Sequence, residues 1–200
     1  MKKLPPRKTA PPGEREHKIR IIAGKHRGRR IPVPDVDGLR PSPDRVRETV
    51  FNWLQFDLPG ASVLDAFAGS GAMGLEALSR GAASVLFVDR NPLAVAHLRE
   101  RLQEWREPHA HVRQGDALAL SDSATRYDII FLDPPFAAEL HQPALDKFCT
   151  PRWLKPGGMI YIEQSAGSPA LQLPPGYVWH KQSHAGRLQF GLITAGEAAP

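Results

Sequence analysis

"SVLDAFAGSGAMG", residues 62–74, decides how the rest of the chain is read. Ser62 to Leu64 open a short, almost wholly apolar run, the kind that forms a strand covered on both faces. The run reaches a carboxylate, Asp65, then Phe67 and Ala68, and then Gly69, Gly71 and Gly74 in G-x-G-x-x-G spacing ahead of the helical pattern "AMGLEALSRG". Strand, glycine turn and helix in that order predict the first unit of an alternating α/β fold, with a ligand held where the backbone turns.

Downstream the alternation continues. "SVLFVD" is a second strand ending on Asp89. "NPLAVAHLRERLQEW" is a helix capped by Asn91, with Pro92 in its first turn and Val95, Leu98, Leu102 and Trp105 on its inner face. "AHVRQGD" and "YDIIFLD" supply two further strands, "QPALDKFC" a helix, and "GGMIYIEQ" a fifth strand. "GYVWHKQSHAGRLQFGLIT" reads as two strands joined by a tight turn. The predicted fold is therefore a doubly wound, Rossmann-like α/β sheet with a terminal antiparallel hairpin.

Upstream, "KIRIIAG" places Ile19 and Ile21 on one strand face and "RIPVP" returns as its partner, giving a small basic hairpin. "LRPSPDRVRETVFNWLQF" enters a helix, with Ser42 as cap, Pro43 as first helical residue, and Val46, Val50, Trp53 and Leu54 facing inward. The expected organisation is a disordered basic arm (1–17), the hairpin and helix (18–60), the main domain (61–195) and a tail (196–200).

Composition narrows the classes. No apolar run approaches the roughly 18 residues of a membrane helix, and the expected location is the cytoplasm. The single cysteine, Cys149, excludes an internal disulfide and a cysteine zinc cluster; the eight histidines are scattered, and no metal is predicted. Residues 1–30 carry eleven Lys or Arg against two Glu, a charge of +9 where the whole chain carries +5. A basic arm on a mildly acidic body is the footprint of a polyanion binder.

Four signals fall at the carboxyl ends of strands, where such folds bind ligands: "DAFAGSG", Asp89, "GD" at 115–116, and "DPPF" at 133–136. An exposed carboxylate at Asp65 would repel a pyrophosphate on the glycine turn and suit a ligand with an ammonium and a sulfonium. This favours S-adenosylmethionine over a nicotinamide or flavin cofactor. Asp89 can accept from ribose hydroxyls and Asp116 from an adenine amino group. In "DPPF", two prolines stiffen the backbone without donating a hydrogen bond. Asp133 and the Pro134 carbonyl can then accept both N–H bonds of an aromatic amine, while Phe136 stacks on its ring.

Taken in order, these motifs resemble class I S-adenosylmethionine-dependent methyltransferases that act on amino groups. "IRIIAGKHRGRRI" and "LRPSPDRVRETVFNWL" are in addition similar to the bacterial RsmD family, from about residue 18 to residue 194. The chain departs from that pattern with Ser42 where Thr is usual and Asp89 where Glu is common. The resemblance implies transfer of a methyl group to the exocyclic N2 of a guanine in small-subunit ribosomal RNA, within an assembly particle; the expected state of the chain is a monomer. It implies that Asp65, Phe67, Ala68, Gly69, Ser70, Gly71, Asp89, Asp116 and Ala117 hold the cofactor, and that Asp133, Pro134, Pro135 and Phe136 receive the base. Arg20, Lys25, Arg27, Arg29, Arg30, Arg40, Arg45 and Arg47 are then the expected RNA contacts. The alternatives are a DNA adenine-N6 methyltransferase, which the same "DPPF" grip would serve, and a non-catalytic RNA-binding factor that keeps the fold.

Overall fold

The computed structural model describes residues 18–33, 43–121, 125–135 and 139–196. Its main sheet contains β3 (Ser62–Asp65), β4 (Ser84–Asp89), β5 (Ala110–Gln114), β6 (Tyr127–Leu132), β7 (Leu154–Ser165), β8 (Tyr177–Ala185) and β9 (Leu188–Ala195). The spatial order is β5-β4-β3-β6-β7-β9-β8. The strands from β3 to β7 are mutually parallel, while β9 inserts antiparallel between β7 and β8. The strand order reverses between β3 and β6. Connections leave these two neighbours in opposite directions and open a crevice at their carboxyl ends.

Alternation along the strands divides the core into two layers. Val63, Phe87, Phe131 and Tyr161 point to the face covered by α1 (Asp44–Trp53), α2 (Ala72–Ser79) and α3 (Pro92–Trp105). Leu64, Val88, Ile130 and Ile162 point to the other, where α4 (His141–Phe148) and a 3₁₀ turn at Ala117–Ala119 pack. The central strands are apolar on both faces because both are covered. Asn91 caps α3 as its sequence predicts, its side chain accepting from Leu93 N at 2.8 Å and Ala94 N at 3.3 Å.

The N-terminal hairpin pairs β1 (Lys18–Arg20) with β2 (Arg30–Pro32), Ile19 opposite Ile31. It does not build a core of its own. Ile19, Ile21 and Ile31 are buried in the same cluster as Val46, Val50 and Phe51 of α1 and Leu75 of α2. Three strand residues a side are too few to stand alone, so the hairpin depends on this shared burial.

A buried carboxylate fixes its seat. Glu76 of α2 has no exposed surface and accepts from Ile22 N at 2.7 Å, Ala23 N at 3.0 Å and Arg80 Nε at 2.7 Å. Arg47 of α1, also fully buried, lies 3.7 Å from Glu76 and donates to the Arg20 carbonyl at 2.9 Å and to Asp44 at 2.6 Å. One turn further along α2, Ser79 accepts from His26 N and donates to the Ala23 carbonyl, and its own carbonyl takes Lys25 N at 2.8 Å. Gly24, at φ +83°, presses against that carbonyl so closely that a Cβ would overlap it.

Some local expectations change. Ser42 lies outside the described residues, and Pro43 occupies the cap position with ψ 146°, so α1 starts at Asp44. Trp53 is only half-buried and stacks on Phe190 with centroids 5.6 Å apart. The arm 1–17 and positions 197–200 of the tail also fall outside the described residues.

Removing Glu76 leaves two buried backbone donors and two guanidinium groups without their acceptor, and breaking such buried pairs costs about 3–5 kcal/mol. Glu76→Ala is expected to lower the urea midpoint accordingly and to speed amide exchange at Ile22 and Ala23. Unchanged protection at these two amides would show that packing alone seats the hairpin.

Candidate active site

Asp65 closes β3 on the helix-rich face, directly under the first turn of α2. It is only 3% exposed, and its Oδ2 accepts from Gly74 N at 2.9 Å. This corrects the expectation of an exposed carboxylate. The reason is Gly74: with no side chain, α2 can close over the strand end, where a Cβ would overlap the Phe87 ring and sit 3.0 Å from Asp65 Oδ2. Burial pushes the Asp65 carboxyl up to about 7; the Gly74 N–H pulls the other way, and the charge of Asp89 adds to the rise. At neutral pH the group is poised between protonated and ionised, and a cation placed against it would hold it ionised.

The turn after β3 places Gly69 at φ +52° and Gly71 at φ +78°, both left-handed. At Gly71 a Cβ would also overlap Leu98 of α3. Ala68 N donates to the Val88 carbonyl at 2.9 Å, Ser70 is buried and Phe67 half-buried. Asp89 ties this turn to β4: its Oδ2 accepts from Gly69 N at 2.6 Å and its Oδ1 from Asn91 N at 2.7 Å. A carboxylate offers about four acceptor sites, so both oxygens keep capacity for hydroxyl donors.

Asp116 begins the 3₁₀ turn after β5. It accepts from Leu118 N at 2.9 Å and is paired with Arg90. Burial opposes its ionisation, but the Arg90 and Leu118 hydrogen bonds outweigh it and hold the carboxyl below its usual range. Ala117 beside it is buried. At the end of β6, Asp133 is half-buried, Pro134 buried and Pro135 exposed. Asp65 and Phe131 are register partners on adjacent strands, so Asp133 leaves β6 beside the glycine turn. Phe136 lies outside the described residues.

Of the expected RNA contacts, Arg20, Lys25, Arg27, Arg29, Arg30 and Arg45 are exposed and Arg40 lies outside the described residues. Arg47 is a correction. It is wholly buried and bound to Glu76, Asp44 and the Arg20 carbonyl, so it holds the scaffold and has no surface to offer a phosphate. The hairpin lies against the body. His26 stacks on Trp105 at 4.4 Å, Arg29 covers the same ring at 5.2 Å, and Glu107 binds both His26 and Lys25. Trp105 is at the far end of α3 from Asn91, roughly 20 Å away at 1.5 Å per residue. The hairpin loop therefore sits well away from the glycine turn.

Sequence reasoning missed three acidic residues: Glu76, Glu107 and Glu163. Nothing along the sequence marks Glu76 or Glu107, and only packing reveals their partners. Glu163 had a readable signal, since "MIYIE" carries an apolar strand into a carboxylate just as "YDIIFLD" does. Among the described residues no group of three His, Cys, Asp or Glu is arranged to hold a metal ion.

This sheet order, with its antiparallel insertion at one edge and its glycine turn flanked by Asp65 and Asp89, defines a class I methyltransferase fold. The family model described as conserved hypothetical protein 95 matches residues 19–194. The chain belongs to that family, the RsmD family of methyltransferases. It is 39% identical to ribosomal RNA small subunit methyltransferase D of Escherichia coli, over 87% of this chain and 88% of that one. It is 38% identical to the protein of the same name from Haemophilus influenzae, over 87% of this chain and 92% of that one. The solved structure of yhhF from Escherichia coli superposes with a TM-score of 0.82 at 38% identity, covering 90% of this chain and 98% of that one.

Gly74→Ala forces α2 away from β3 or turns the Phe87 ring, and overpacking of this kind costs about 1–3 kcal/mol. A lowered melting temperature together with weakened binding of S-adenosylhomocysteine is expected. Calorimetric affinity equal to that of the parent would show that the seat of Asp65 does not govern the ligand.

Proposed function

We propose that this protein transfers a methyl group from S-adenosylmethionine to the exocyclic N2 amine of a guanine in small-subunit ribosomal RNA. The observation that carries the reading is the placement of Asp133 and Pro134 at the end of β6, next to the Asp65–Gly71 turn. The names of the relatives, which refer to small-subunit ribosomal RNA, support the substrate class.

The residues present fit the cofactor. Asp65 is a buried carboxylate beside a turn whose Gly69 and Gly71 leave the backbone bare, and it suits an ammonium group. Asp89 suits two ribose hydroxyls and Asp116 an adenine amino group. When bound, S-adenosylmethionine supplies an electrophilic methyl group on a sulfonium.

The chain's own task is to present the amine. In guanine the N2 lone pair is delocalised into the ring, which makes it a weak nucleophile. Asp133 and the Pro134 carbonyl accept the two N–H bonds and turn the lone pair out of the ring plane toward the donor. Pro134 and Pro135 keep the loop stiff, so the acceptors need not reorganise during the reaction. No strong base is required, and positioning supplies most of the acceleration. A guanine in a folded RNA must be swung out to reach this crevice at a cost of a few kcal/mol, which phosphate contacts from Arg20, Arg27, Arg30 and Arg45 would offset.

Methyl transfer from labelled S-adenosylmethionine to small subunits, protein-free ribosomal RNA and duplex DNA tests the reading, with the product nucleoside identified. N2-methylguanosine in the ribosomal material is expected; N6-methyladenine in the DNA would overturn it. Asp133→Ala should lower turnover by two orders of magnitude or more while leaving S-adenosylhomocysteine affinity within about threefold. Equal losses would make Asp133 a cofactor ligand.

Asp65 adds a pH signature. Its carboxyl is raised in the free protein, so the proton is retained until the pH passes about 7. Affinity for the ammonium-bearing ligand should therefore rise between pH 5.5 and 7.5. For the same reason the cost of burying Asp65 in the free protein grows as pH rises from its unfolded value toward 7. Asp65→Asn should bind weakly with a flat profile, and a profile as steep as the parent's would assign the titration elsewhere. Replacing Arg20, Arg27 and Arg30 together with Gln should weaken RNA binding and flatten its salt dependence. An unchanged slope would remove the hairpin from the RNA interface.

A further inference from the structure

We propose that Glu163, held in place by Tyr161 and His141, reads the N1–H of the target base and so makes the site selective for guanine over bases that lack this donor. The proposal rests on the reading above, that an exocyclic amine is gripped by Asp133 and Pro134.

Register brings the two carboxylates together. β6 and β7 run parallel with Phe131 beside Tyr161 and Leu132 beside Ile162. The next residues along are Asp133, just past the end of β6, and Glu163, inside β7 and paired with Phe190 of β9; continuing the register sets them one interstrand spacing, about 4.8 Å, apart. The Phe131 and Tyr161 rings meet edge to face at 6.1 Å on the helix-rich side of the sheet. Alternation returns Asp133 and Glu163 to that same side, which is also the side of Asp65.

Glu163 is built in, not merely adjacent. It is 2% exposed, and the wholly buried Tyr161 donates its hydroxyl to Oε2 at 2.5 Å. From the opposite layer His141, at the start of α4, bonds to the Glu163 backbone. A carboxylate inside a strand, following an apolar run, is costly to bury and gains nothing for packing. Two residues, one on each side of the sheet, nevertheless hold it at the level where β6 ends and the amine grip begins. Tyr161 takes up one acceptor site of Oε2, and a carboxylate offers about four in all.

Base chemistry supplies the reason for a second acceptor there. On its Watson–Crick edge guanine carries N1–H next to the N2 amine, so two neighbouring atoms both present donors. Adenine carries an unprotonated N1 beside its amine, a donor next to an acceptor. An acceptor-only carboxylate beside the amine grip completes guanine and opposes the lone pair of adenine N1. The same opposition applies to 2-aminopurine, which keeps the N2 amine but lacks the N1 proton. A site built to bond a donor rejects the analogue without it far more strongly than an apolar pocket can.

The test uses the full-length enzyme and ribosomal RNA assembled with either guanine or 2-aminopurine at the position where the parent enzyme deposits its methyl group. The parent is expected to prefer guanine in kcat/KM by about tenfold or more, the scale of a hydrogen bond to a charged group. Glu163→Gln keeps the shape and offers an amide donor to the bare N1, so the preference should collapse or invert. Tyr161→Phe should reduce it by a smaller factor, because the carboxylate is retained but loses its anchor. S-adenosylhomocysteine affinity and melting temperature confirm that both variants are folded. Unaltered discrimination in folded Glu163→Gln would overturn the proposal while leaving guanine methylation intact. Failure of the parent to form N2-methylguanosine in any substrate would instead overturn the reading beneath it.

Discussion

The fold hangs on a buried carboxylate that takes no part in the chemistry. Glu76 sits in the middle of α2 with no exposed surface, and hairpin backbone, Arg80 and Arg47 all converge on it. An isolated charge in that position would be untenable, so the hairpin, α1 and α2 must assemble together or not at all. The helix that carries Glu76 is capped at its start by Gly71, the last residue of the glycine turn. The segment richest in positive charge is thereby joined through one helix to the turn that would seat the cofactor. Ser79 and the close approach of Gly24 extend the same joint by another helical turn.

A second constraint is the row of acidic residues toward the carboxyl-end side of β3, β4, β5 and β7. Each is tuned by different neighbours. Asp65 is buried under α2 with one backbone donor and stays poised near neutrality. Asp89 is satisfied by two backbone donors from its own turn and the next helix. Asp116 is held ionised by Arg90. Glu163 is fixed by a tyrosine from within its own strand. The same side-chain chemistry is thus tuned differently at each strand by what surrounds it.

Much of this could be read from the chain. Asn91 and Pro92 announced α3, and Val95, Leu98, Leu102 and Trp105 line its buried face. The pairing of "KIRIIAG" with "RIPVP" followed from alternation in two short basic stretches. What failed did so for one reason: a charged residue's partners cannot be seen along the sequence. Arg47 looked like one more arginine in a basic segment, and nothing along the chain singled out Glu76. Asp65 looked exposed because nothing in its neighbours reveals that α2 passes over it.

The sequence by itself determined the order of strands and helices, the turn glycines and the carboxylates that end the strands, because periodicity, capping and backbone freedom are local properties. The tertiary structure alone decided which charges are buried and which carboxylates become neighbours. Glu76 meets Ile22 across 54 positions, and Asp133 meets Glu163 only through the register of two parallel strands. Burial and electrostatic pairing are set by what packs overhead, and that is a property of the assembled layers.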